Sequence, residues 1–124
     1  ALVHLQIICG ISYLEVPKFA DGSIPFCSID TDHNSWTLFR EMEILERKMT
    51  PNGIVVIHDH IAFKDSNGYA DGYICGAPYP KDLMLDSDDI SYGDAVERLA
   101  TSRQWREIRR SDDFCGGIAL QRTI

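Results

Sequence analysis

The chain has 124 residues, 44% of them hydrophobic and 25% charged, with a formal net charge of −7 at neutral pH. That composition belongs to one globular domain with an ordinary core and excludes a disordered chain. The acidic balance argues against a nucleic-acid partner held by phosphate neutralisation, and no apolar run reaches the ~18 residues of a membrane span.

The chain opens on residues 2–9 (LVHLQIIC), a continuous apolar run that reads as a buried parallel strand. Ala1 has no Met before it, and a domain seldom begins inside a strand, so further sequence is expected upstream. A short helix is expected next, then a second buried strand over 25–30 (PFCSID). The following SWTLFREMEILERKM spaces Trp36, Phe39, Met42, Leu45 and Met49 at threes and fours, which puts them on one helical face. Asn34 or Ser35 can cap its first turn, and Thr50-Pro51-Asn52-Gly53 ends it with turn chemistry. A third buried strand, 53–58 (GIVVIH), completes a βαβ unit.

Residues 60–90 read as a long loop, with Gly68, Gly72, Gly76, Pro78 and Pro80 among Tyr69, Tyr73 and Tyr79. Loops of that length are uncommon in compact domains and serve as lids or binding loops, or as surface insertions. A helix is expected over 91–103, where Ser91 and Asp94 resemble a capping box and Ala95, Val96, Leu99 and Ala100 form the apolar stripe. Two strands, WREIRR and GGIALQRT, close the chain, with Gly116 and Gly117 permitting a tight entry. Arg103, Arg106, Arg109 and Arg110 are interrupted by Trp105, Glu107 and Ile108, the pattern of a solvated face. Cys9, Cys27, Cys75 and Cys115 are widely spaced, and the chain opens on no secretory signal. They read as free thiols of a cytoplasmic protein.

The chemistry concentrates where strands end. Asp30, Asp32 and His33 follow the second strand, and His58, Asp59 and His60 end the third. In an open parallel α/β sheet the carboxyl ends of strands gather at one edge, where ligands bind. Carboxylates one strand spacing (~4.8 Å) apart repel each other unless a divalent cation or a proton is shared between them. Each residue also has a plainer use: an aspartate after a strand commonly caps the next helix, and His33 and His58 fit ordinary hydrogen-bonded histidines. The His58-Asp59-His60 triplet cannot chelate together within a strand, because Asp59 takes the opposite face.

The run IPFCSIDTDHNSWTLFREMEILERKMTPNGIVVIHD resembles the fourth strand, the following helix and the fifth strand of class I S-adenosylmethionine-dependent methyltransferases. It is most similar to their small-molecule and sugar O-methyltransferase branch, which includes macrolide-sugar and cephalosporin-hydroxylase-like enzymes. The tail YGDAVERLATSRQWREIRRSDDFCGGIALQR resembles that family's last helix and closing antiparallel strand pair, and GISYLEVPKF the segment after its third strand. The resemblance implies a Rossmann-like α/β fold with a mostly parallel sheet, in which residues 1–124 form a single domain that lacks the N-terminal cofactor-binding half. Neither the Gly-rich turn nor the acidic strand end that holds the cofactor in this family occurs in the chain.

Carried over to this sequence, the resemblance implies Asp30 and Asp59 as ligands of Mg²⁺. His60 stands where a second acidic residue is expected, which shifts the choice toward Mn²⁺. Asp32 or His33 would take the proton from a hydroxyl, and Cys9, Gly10, Ile11 and Ser12 would flank the adenine of S-adenosylmethionine. The implied reaction is methyl transfer to the hydroxyl of a small acceptor, with the Tyr-rich loop closing over it. A half-domain would expose sheet edge and helix faces, so self-association into a homo-oligomer is expected. Two other readings share these residues: a metal-dependent nucleotide-sugar glycosyltransferase using D-x-D, and a non-catalytic binding or dimerisation module in which the aspartates only cap.

Overall fold

A computed structural model describes residues 4–68, 73–74, 77–78 and 90–123. The elements in chain order are α1 (Ser12–Glu15), a 3-10 turn (Val16–Lys18), β1 (Ile24–Ile29), α2 (Ser35–Lys48), β2 (Met49–His58), β3 (Tyr73–Ile74), β4 (Ala77–Pro78), α3 (Tyr92–Ala100), β5 (Trp105–Ser111) and β6 (Gly117–Arg122). β3 and β4 form a small antiparallel pair of their own. Of the expected loop over 60–90, residues 69–72, 75–76 and 79–89 lie outside the described residues.

α2 starts where its sequence says it should, because the Asn34 side chain accepts the Trp36 N–H and satisfies one of the orphan donors of the first turn. Its buried face runs through Leu38, Met42 and Leu45, with Phe39 and Trp36 at the margins. This is a rotation from the expected stripe, and it brings the polar Thr37 and Glu41 inside. α3 opens on Ser91, whose hydroxyl accepts the Asp94 N–H as the capping pattern implies.

β1 and β2 run parallel, Cys27 opposite Val55 and Ile29 opposite Ile57. β6 then pairs antiparallel with β2, and β5 antiparallel with β6, giving a mixed α/β sheet in the order β1-β2-β6-β5. The expected turn Thr50–Gly53 lies inside β2 as an irregularity: β1 advances from Ile24 to Phe26 while β2 advances from Met49 to Ile54, and Asn52 takes φ +61°.

Because strand side chains alternate, Ile29, Val55, Ile57, Ile118 and Leu120 share one face. They pack under α2 and α3 against Leu38, Met42, Leu45, Tyr92, Val96 and Trp105. Each fully buried large apolar side chain there contributes on the order of 2 kcal/mol. The opposite face is partly open, with Phe26 59% and Ile108 44% exposed.

Two expectations are corrected. Residues 4–9 form no strand, and Leu5 and Ile7 are exposed. An apolar run becomes a strand only when a neighbour supplies its ladder of hydrogen bonds, and none reaches this segment among the described residues. The parallel part of the sheet there is therefore limited to β1 and β2. Cys9 is disulfide-bonded, whereas Cys27 and Cys115 carry the expected free thiols; Cys75 lies outside the described residues.

Candidate metal centre

Parallel pairing of β1 and β2 fixes the site, since it places the residues that follow both strands at one edge of the sheet. Asp30 leaves β1 and Asp59 leaves β2, and the His33 ring lies between them. His33 Nε2 is 3.2 Å from Asp30 Oδ1 and 2.8 Å from Asp59 Oδ2. One ligand atom from each of the three lies within 4.8 Å of the others, a separation that one divalent ion can span.

The backbone is bent to achieve this. His33 has φ +57° and Asp59 φ +66°, left-handed conformations that non-glycine residues seldom adopt and that gather at functional sites. Gly68 holds the His33 turn from outside: its N–H donates to His33 O at 2.7 Å, and a Cβ built on it would lie 2.3 Å from Asp32 O. Asn67 donates to Ile90 O and accepts the Ser35 N–H, which joins the start of α2 to the residues before α3.

The His33 ring is fixed by packing as well as by charge. It stacks on Phe63 at 4.6 Å and 9°, and meets Tyr92 edge-on at 5.5 Å and 75°. Tyr92 donates its hydroxyl to His58 O. Burial, followed by the charges of Glu41, Asp59, Asp32 and Asp30, raises the Tyr92 phenol far above its ordinary value. Four carboxylates acting on one phenol mark a region of negative potential, which favours a cation.

Asp30, Asp59 and His33 are thus brought together, and His60 is not part of the group. His60 is 3% exposed, with Nε2 3.7 Å from Asp112 Oδ1, beside a cavity of about 330 Å³ lined also by Lys64, Asp94 and Arg110. Successive residues leaving a strand point apart, which separates it from Asp59. Asp32 accepts the Asn34 N–H on one oxygen and the Thr37 hydroxyl on the other, the arrangement of a carboxylate capping α2. His58 makes a cross-strand hydrogen bond to Ser28 Oγ at 2.8 Å.

Of the segment expected to flank a nucleoside, Cys9 and Gly10 are exposed and Ile11 is half-buried. Ser12 donates its hydroxyl to Glu41. The sequence held no signal for Phe63, Tyr92, Asn67 and Gly68, which act on the site from 30 or more residues beyond the D-x-D-H motif.

Fold and site together define a mixed α/β domain with a carboxylate and histidine cluster at the carboxyl edge of its parallel strand pair. No protein-family model matches the sequence, and no curated protein matches it. Among solved structures the chain is similar to a Thermus thermophilus protein described as a "Putative DNA Modification Methylase" (TM-score 0.43, 11% identity, 92% of this chain covered). The chain spans about half of that protein's length, 52%. Among the described residues no helix is long and apolar enough to cross a membrane.

Proposed function

We propose that the chain is the C-terminal part of an S-adenosylmethionine-dependent methyltransferase acting on a hydroxyl of a small molecule, with a divalent cation held by Asp30, Asp59 and His33. The observation that carries the reading is the convergence of the D-x-D-H motif and the Asp after the next parallel strand on one centre, within the strand and helix order to which the sequence is similar. Two carboxylates and one imidazole form a donor set suited to Mn²⁺ or another borderline divalent ion more than to Mg²⁺, which prefers oxygen alone.

The donor set fits a cation: two carboxylates approach one nitrogen, and further carboxylates add to the negative potential. Such an ion supplies Lewis-acid polarisation of an acceptor hydroxyl, and S-adenosylmethionine supplies the methyl group. The chain's own residues do the rest. Asp30, whose side chain is 62% exposed, is the open side of the centre where an acceptor arrives. Phe63 and Tyr92 hold the His33 ring in place, and Asp32 fixes the start of α2 beneath it.

Titration of the chain with Mn²⁺, followed by electron paramagnetic resonance, tests the centre. One ion should bind per chain, and Asp30→Asn and Asp59→Asn should each abolish it. Undiminished binding in both variants would refute the centre. A methyl-transfer assay with the same variants, on the protein carrying its cofactor, would then tie the ion to turnover.

A further inference from the structure

Glu41 is a carboxylic acid on α2 that is 4% exposed, and the chemistry above gives it no part as a ligand or a proton acceptor. Its oxygens are taken separately: Ser12 Oγ donates to Oε1 at 2.5 Å, and Thr31 Oγ1 donates to Oε2 at 3.2 Å. Ser12 begins α1, the end of the segment expected to border the cofactor. Thr31 sits between Asp30 and Asp32, in the turn that presents the cluster. One side chain therefore spans two stretches that are 19 residues apart and share no element.

A buried carboxyl is a poor means of stabilising a core. An apolar residue of similar volume is often neutral or better at such a position, and the use of a buried polar group is to specify one arrangement. Burial pushes the Glu41 carboxyl up to about 7, against the lowering effect of Ser12 and Thr31, and the Asp32 charge raises it further. Thr37 and Asn34 already hold Asp32, so the D-x-D turn is braced from α2 at both of its central residues.

We infer that Glu41 is a positioning residue that locks α1 to the D-x-D turn, so that the segment Gly10–Tyr13 and the Asp30, His33 and Asp59 centre keep one relative placement. The part that concerns the ion rests on the function proposed above; the part that concerns the lock does not. Without Glu41, the turn and α1 each lose a hydroxyl anchor, and the ligand geometry relaxes.

Amide hydrogen exchange on wild type, Glu41→Leu and Glu41→Gln reads the lock, with Mn²⁺ affinity measured alongside. The amide of Gln can accept one hydroxyl and donate to the other, so Glu41→Gln should stay near wild type. Glu41→Leu should raise exchange in both Ser12–Glu15 and Thr31–Asn34 while β2 and β6 remain protected, and weaken Mn²⁺ by ~10-fold, as loss of outer partners of a metal site does. If Glu41→Leu fails to fold, Ser12→Ala removes one arm and should loosen both segments in the same direction.

Unchanged exchange in either segment, or loosening of α1 alone, would overturn the lock. Mn²⁺ affinity that stays constant while both segments loosen would overturn the claim that the lock sets the geometry of the ligands. If wild type binds no Mn²⁺, the proposed function fails while the exchange pattern still decides the lock.

Discussion

The Glu41 carboxyl lies at about 7 in the folded chain against an ordinary 4.5, chiefly because α2 buries it. The folded state therefore holds this proton more tightly than the unfolded state. Below the lower value both states are protonated and the group has no effect. Between the two values the unfolded chain ionises first, so stability falls as pH rises; above the upper value the loss is complete. Each unit is worth 1.36 kcal/mol, so the group removes about 2–3 kcal/mol between pH 5 and pH 8. Glu41→Gln has no proton to lose and should be free of this component. Urea denaturation followed by circular dichroism, at several pH values from 5 to 8, gives both curves. The difference between variant and wild type should widen by that amount with pH. Parallel curves would show that Glu41 ionises as freely in the folded chain as in the unfolded one, and the account of its burial would be wrong.

His33→Ala should weaken Mn²⁺ at least ~10-fold in a direct binding titration, since losing an inner ligand costs no less than losing an outer partner. Full affinity with lost methyl transfer would make His33 the proton acceptor instead. Gly68→Ala puts a Cβ 2.3 Å from Asp32 O, so the D-x-D turn must shift; a loss of about 1–3 kcal/mol and weaker Mn²⁺ binding are expected, and an unchanged melting curve would refute the contact. Leu120→Ala, at 0% exposure, should cost about 2–5 kcal/mol, whereas Phe26→Ala, at 59%, should cost less than ~1 kcal/mol. Equal losses in chemical denaturation would mean that the outer sheet face is covered in solution.

Much of the local structure followed from the sequence, because it rests on interactions between near neighbours. The cap at Asn34, the cap at Ser91 and the helices behind them depend on residues within a few positions of one another, and the two closing strands lie next to each other in the chain and pair as a hairpin. The D-x-D-H motif and the Asp after the next strand were visible for the same reason, and parallel pairing accounts for their meeting. A strand is different, since its ladder belongs to a partner. Residues 4–9 carry the apolar composition of a strand, yet no neighbour pairs with them among the described residues.

The sequence by itself determined which residues could bind a cation and which helices would stand beside them. The tertiary structure decided which residues meet. It seats His33 between Asp30 and Asp59 through two left-handed backbone turns, stacks Phe63 and Tyr92 on its ring, and sends His60 to a separate cavity. It also turns α2 so that Glu41 faces inward to Ser12 and Thr31. Periodicity fixes which residues share a face of a helix; how that face is rotated against the sheet depends on packing across the whole layer.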